Sequence, residues 1–160
     1  MNVFHASNMR VERPVLIRQN RYLDFGCGFY TTLNLEQAQE FAWQVAKRRR
    51  EGQAVVNVYA VDEKRLWNEC TLLKFDAPDA AWLDFVCANR TNAYTGPCHD
   101  LVFGPVANDD VYATVAAYLN GTFSKEITLA ALKVRSLYNQ LVFASEKALS
   151  HLEFVEAKEL

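Results

Sequence analysis

Three side chains stand where chemistry could be done: His5 in a first apolar strand, Tyr30 in a glycine-rich run, and Gln140 opening a late apolar strand. The tyrosine belongs to Asp24-Phe25-Gly26-Cys27-Gly28-Phe29-Tyr30-Thr31-Thr32, and the glutamine to Gln140-Leu141-Val142-Phe143-Ala144. Glycines at 26 and 28 let the backbone bend, or let a ligand approach it, because no Cβ stands in the way. Taken singly, each of the three has an ordinary use: a strand histidine satisfied by its neighbours, an aromatic packing a turn, a polar residue on a sheet edge. Other candidates carry less. Cys98-His99-Asp100 offers one Cys-His pair without the partner cluster that a zinc site needs. The basic run Lys47-Arg48-Arg49-Arg50 fills the last turn of a helix, where the dipole favours cations, and Glu36 and Glu40 suit that helix's solvated surface. Asp100 heading a strand and Asn108 capping the helix after it have adequate structural explanations.

The elements that must position these residues follow in chain order. Asn2–Ser7 reads as a strand with Val3 and His5 on one face and Phe4 on the other. Residues 8–23 break the pattern around Pro14 and read as an irregular connection, polar from Arg18 to Arg21. Phe29–Thr32 is a short strand, and a helix over 35–50 follows. Asn34 is its N-cap, Gln37 completes a capping-box pattern, Gly52 stands past its end, and Ala38, Phe41, Ala42 and Val45 form its apolar face. Ala54–Val61 is a strand, with Leu66–Phe75 as its antiparallel partner across the charged turn Asp62-Glu63-Lys64-Arg65. Pro78 opens a helix running to about Asn89, and a loop with Gly96 and Pro97 leads to a strand over Leu101–Val106. Helices over Asn108–Leu119 and from Lys125 to about Leu137 precede the last strands, Gln140–Ala144 and Leu152–Ala157. Strands come as neighbours more often than they alternate with helices. That predicts an α+β fold, mostly antiparallel sheets flanked by helices.

At 160 residues and 51% hydrophobic, the chain reads as a single domain over 1–160 with enough apolar material for its own core. A net charge of −2, from 17 basic and 19 acidic residues, argues against a broad nucleic-acid surface. The opening Met1-Asn2-Val3-Phe4-His5 lacks the basic start of a signal peptide, and no stretch approaches the ~18 apolar residues of a membrane span. Cysteines at 27, 70, 87 and 98 show no Cys-x-x-Cys pairing and read as reduced thiols, so the expectation is a cytoplasmic protein off the membrane.

His5-Ala6-Ser7 in a first strand, followed by Phe25-Gly26-Cys27-Gly28-Phe29-Tyr30, resembles the ADP-ribosyltransferase superfamily. The likeness is to the branch with a His-Tyr-Glu signature, which includes diphtheria toxin and the poly(ADP-ribose) polymerases. Uncharacterised bacterial proteins of that superfamily carry a similar Asp-Phe-Gly-x-Gly-Phe-Tyr core. In the family a second aromatic lies eleven residues after the tyrosine, which here is Phe41, and a Glu opens a late strand, where this chain has Gln140. The resemblance implies a split, ADP-ribosyltransferase-like sheet, NAD as co-substrate, and positions 5, 30, 41 and 140 converging on one pocket. His5 would bond an adenosine-side ribose hydroxyl. Ala6 would offer main-chain N–H and C=O to the nicotinamide carboxamide, with the Ser7 hydroxyl beside it and Gly28 allowing close approach. Tyr30 and Phe41 would sandwich the nicotinamide, since aromatic faces attract a cationic ring by ~0.5–2 kcal/mol. Cleavage of the nicotinamide–ribose bond would then pass ADP-ribose to an acceptor, whether protein, nucleic acid, small molecule or water. Family analogy adds a bacterial toxin or effector role and a cognate inhibitor protein as partner.

Two departures matter. Ala6 in place of the usual Gly keeps a main-chain contact. Gln140 in place of Glu keeps a hydrogen bond but loses the charge that would stabilise a ribosyl cation, and losing a placed electrostatic group costs on the order of 10²–10³ in rate. Either transfer tolerates a neutral group, or Glu146 just past the strand substitutes, or the protein binds NAD, another nucleotide or a partner without transferring. An RNA 2′-phosphotransferase of the same superfamily would need a basic cradle for phosphates, and the chain offers one four-residue run.

Overall fold

Among the described residues, short β-branched and aromatic runs form seven strands: β1 (Asn2–Ser7), β2 (Phe29–Thr32), β3 (Val55–Ala60), β4 (Leu72–Lys74), β5 (Leu101–Pro105), β6 (Asn139–Phe143) and β7 (Glu153–Glu159). Between them lie α1 (Leu35–Arg49), α2 (Glu63–Glu69), α3 (Ala80–Arg90), α4 (Asp109–Leu119), α5 (Lys125–Lys133) and α6 (Glu146–Leu149). The structure is a computed structural model that describes residues 1–17, 23–106, 109–134 and 137–160, with Asp109 and Asp110 described by backbone alone. The strands make one sheet in the order β4-β5-β6-β2-β1-β3-β7. Every neighbouring pair is antiparallel except β4–β5, so the α+β, mostly antiparallel expectation is met.

Strand alternation sends the core to both faces of this sheet. On the first face Val3, Phe29, Tyr59, Leu101, Leu141 and Phe143 pack under Leu66 of α2 and Ala148 and Leu149 of α6. On the second face Val102 and Val142 lie under Trp82, Leu83 and Val86 of α3, Val111 and Val115 of α4, and Leu132 of α5. On that same face α1 lies over β3 through Ala38 and Ala42, against Val56 and Val58. Each fully buried large side chain contributes about 1.5–3 kcal/mol. The indole of Trp82 also donates to the Pro105 carbonyl at 3.1 Å, which satisfies its one polar atom.

Helix α1 begins where Asn34 Oδ1 accepts from the Gln37 N–H at 2.9 Å. The capping box is not closed, because Gln37 Oε1 instead accepts from the Thr32 hydroxyl at 2.5 Å. The helix ends in a left-handed Arg50 (φ 54), and Gly52 follows at φ +76, where a Cβ would fall 2.1 Å from the Asn8 carbonyl oxygen.

Four expectations are corrected. Asp62-Glu63-Lys64-Arg65 is no turn: Asp62 Oδ1 accepts from the Arg65 N–H, and the cap starts α2, held by an Arg65–Glu69 pair at 2.9 Å. What remains of the predicted Leu66–Phe75 strand is β4, parallel to β5, and the place beside β3 is taken by β7. Pro78 precedes the cap, which is Asp79, and α5 ends at Lys133 rather than near Leu137. The expected Asn108 cap and the polar stretch Arg18–Arg21 lie outside the described residues.

Asp100 ties the far half of the sheet together. Its carboxylate accepts from the Thr71 N–H (2.9 Å) and hydroxyl (3.1 Å) and from the Ser145 hydroxyl (2.7 Å), and pairs with the Lys147 ammonium at 2.8 Å. These donors hold its carboxyl well below the usual carboxylate range, Lys147 contributing most. Asp100→Ala is expected to lower the free energy of unfolding by about 2 kcal/mol: a hydrogen bond to a charged group is worth roughly 1.5–3 kcal/mol, and solvent screens the exposed contacts with Thr71 and Lys147. Denaturant titration checks this.

Candidate functional site

The sheet is nearly cut in two between β1 and β2. Strand β1 pairs with β3 from Asn2↔Ala60 to Ser7↔Val55, and β2 pairs with β6 from Phe29↔Phe143 to Thr32↔Gln140. Between β1 and β2 the register holds one pair, Phe4↔Thr32. Regular continuation would bring Ala6 opposite Tyr30, two residues on in each strand. There the ladder stops, and His5 Nδ1 lies 2.8 Å from the Tyr30 carbonyl oxygen. A carbonyl can only accept, so Nδ1 carries the proton and Nε2 presents a lone pair. The half-buried imidazole stacks on Phe29 with centroids 4.2 Å apart. Burial, with a smaller push from the Arg49 cation, lowers its pKa to about 4 against the pull of the Tyr30 carbonyl. The ring is neutral at pH 7.

Tyr30 is held by the glycine-rich turn that precedes it. Its hydroxyl donates to the Gly26 carbonyl at 2.7 Å and accepts the Phe25 N–H at 3.1 Å. Burial pushes its pKa up, so the phenol does not ionise near neutrality. Gly26 takes φ +77, the left-handed region that favours glycine. Gly28 is packed closely on the sheet: a Cβ there would lie 2.4 Å from Val142 Cγ1 on β6. Cys27 between them is exposed.

Gln140 sits one step along the same face. It is opposite Thr32 on β2 and Gly104 on β5. The carboxamide is buried, and its Nε2 finds no hydrogen-bond partner among the described residues. A buried amide donor left unpaired costs about 1–3 kcal/mol, which is the mark of a group awaiting a water or a ligand. Gln37, bonded to Thr32, brings the start of α1 to this point. Phe41 lies one turn further on the same flank of the helix, 47% exposed, with the Arg48 guanidinium 5.3 Å over its ring.

The four positions expected to converge therefore divide. Tyr30, Gln140 and Phe41 belong to the second face, between the α1 layer and the α3–α5 layer. The imidazole of His5 belongs to the first face, because side chains alternate and Phe4, not His5, shares a face with Thr32. His5 meets the others only through the seam, at the Tyr30 main chain. Ala6 is in that seam. Ser7 is buried, its hydroxyl accepting from the Met9 N–H at 3.4 Å. Glu146 starts α6 beyond the other end of β6, with at least three extended residues, roughly 10 Å, between it and Gln140. Thr32 was not singled out from the sequence, although the two-residue period already puts it beside Tyr30. A cavity of about 320 Å³ lies elsewhere, lined by Asp62, Arg65, Ser150 and His151 among others, and none of the expected site residues borders it.

A family model described as a protein of unknown function, DUF3990, matches residues 1–154. The chain belongs to the DUF3990 family. No curated protein and no solved structure matches it. Among the described residues, no helix is long and apolar enough to cross a membrane, and no group of three or more His, Cys, Asp or Glu is placed to hold a metal.

The half-buried imidazole makes a test of its own. Between pH 6.5 and about 4 the unfolded chain binds a proton at His5 that the folded chain refuses, so stability falls as pH drops through that window. Denaturant titrations at pH 7 and pH 5 are expected to show a smaller loss for His5→Gln than for the wild type. Equal losses would contradict the assignment.

Proposed function

We propose that this DUF3990 protein is an NAD-consuming, ADP-ribosyltransferase-like enzyme whose site is the seam between β1 and β2. The observation that supports this reading best is the interrupted ladder. It leaves Ala6 without a β2 partner, with the main-chain donor and acceptor that a carboxamide needs. His5 Nδ1 takes the Tyr30 carbonyl that Ala6 would otherwise bond, and that fixes Nε2 as an acceptor for a ribose hydroxyl. One apolar core covers the first face, so a ligand in the seam would lie on the second face, meeting Tyr30 there and His5 only along the edge of the seam. Tyr30, immobilised by Gly26 and Phe25, presents a ring with a fixed attitude, and Phe41 is a half-exposed aromatic on the flank of α1 that carries Gln37. Orientation of this kind is worth more to catalysis than any single contact. The unpaired amide of Gln140 can donate to a ribose oxygen but brings no negative charge to offset the cation that would develop there, and Glu146 stands at the far end of β6.

That last point favours a second reading, in which the seam binds NAD or another nucleotide, or a partner, and transfer is weak or absent. One set of assays separates the two. Wild-type protein with NAD is expected to release nicotinamide, and His5→Ala and Tyr30→Ala are expected to abolish release while remaining folded. Gln140→Glu is expected to raise the rate by on the order of 10²-fold, the worth of a placed charge. NAD binding by calorimetry without release over hours would support the second reading. Activity unchanged in both alanine variants would remove the seam as the site. The acceptor is sought by following labelled NAD into a cell lysate, and the bacterial effector role rests on analogy with the superfamily.

A further inference from the structure

We propose that Arg90, at the end of α3, is a positioning residue for Tyr30, acting through Asp24 and the glycine-rich turn. Its part in NAD binding rests on the reading given above; its hold on Tyr30 does not. The Arg90 Nε–H donates to Asp24 Oδ1 at 2.5 Å, and the two side chains are 10% and 17% exposed. A charge pair so withdrawn from water carries a desolvation cost, and removing one partner leaves the other uncompensated. The other side of the guanidinium is covered by the Tyr112 ring of α4, 4.4 Å from its centroid, so the cation is held between two helices before it meets Asp24. The neighbouring Asn89 abuts the turn itself: a Cβ on Gly26 would fall 2.8 Å from Asn89 Oδ1. Phe25, between Asp24 and Gly26, is buried against Phe75 and Phe85, the latter also on α3.

The consequence reaches Tyr30 directly. Both hydrogen bonds that fix its hydroxyl come from the segment Arg90 holds, the N–H of Phe25 and the C=O of Gly26. A residue that sets where Asp24 lies therefore sets where the Tyr30 ring stands.

Arg90→Gln, Arg90→Lys, Asp24→Asn and the double variant Asp24→Asn/Arg90→Gln test this in the full chain. Hydrogen exchange over residues 23–30, which includes the Phe25 amide, is compared with exchange in β1 and β3 at a temperature where every variant is folded. Each single neutralisation is expected to speed exchange in 23–30 by about tenfold without changing β1 or β3, the double variant to do no more than either single, and Arg90→Lys to fall between. The KM for NAD in nicotinamide release is expected to rise about tenfold with kcat within about twofold, the pattern of lost ground-state positioning. Exchange that rises alike throughout the sheet, an unchanged turn, or additive effects in the double variant would overturn the proposal. Selective, non-additive exchange in a protein that neither releases nicotinamide nor binds NAD by calorimetry would uphold the hold on Tyr30 and remove the NAD reading.

Discussion

The hydrogen bond from His5 Nδ1 to the Tyr30 carbonyl is the interaction on which the rest of the architecture turns. A strand carbonyl inside a sheet needs a donor, and the ordinary donor is the facing strand's N–H. Here a side chain supplies it. The substitution lets β1 and β2 part after one pair without leaving Tyr30 orphaned, and it sets the imidazole's tautomer. An interrupted ladder in the middle of a seven-stranded sheet is otherwise a defect, since each lost pair forfeits main-chain bonds that burial makes expensive to lose.

The two helical layers explain why the defect is tolerated. Helix α1 secures β1 and β3 on one side of the seam, and α3 to α5 secure β5 and β6 on the other. Each half of the sheet thus has its own apolar cover on the second face, while a single core runs across the first face from Val3 and Tyr59 to Leu141 and Phe143. The halves are joined where that core is continuous and separate where β2 passes between the layers. Tyr30, Thr32 and Gln140 line that interval. A chain optimised for stability alone would fill it with paired backbone and an apolar residue at 140.

Much of this was legible in the residues. The period-two run Asn2–Ser7 announced both β1 and the face of His5. The Asn34 cap and Gly52 bracketed α1, and the glycines at 26 and 28 marked a turn that carries a left-handed residue. Local patterns failed where the deciding contact is distant. Asp62 to Arg65 has the composition of a turn, and only the burial of Leu66 against the β1 side of the sheet makes it a helix. The parallel β4–β5 pairing joins segments nearly thirty residues apart and has no local signal. At the site, the residues singled out His5, Tyr30 and Gln140 and the family resemblance added Phe41, yet the same alternation that defines β1 puts His5 on the opposite face from the others. What joins them is the broken ladder, and strand breaks leave no mark in composition. The Asp24–Arg90 pair was invisible for the same reason.

The central claim is that the seam between β1 and β2 is a ligand site and not merely a gap. Amide chemical-shift mapping of the labelled protein during titration with NAD tests it most directly. Saturable shifts are expected at Ala6, Ser7, Tyr30 and the Gln140 side-chain amide, and their loss in Tyr30→Ala. Shifts confined to the cavity around Asp62 and His151, or none at millimolar NAD, would contradict it.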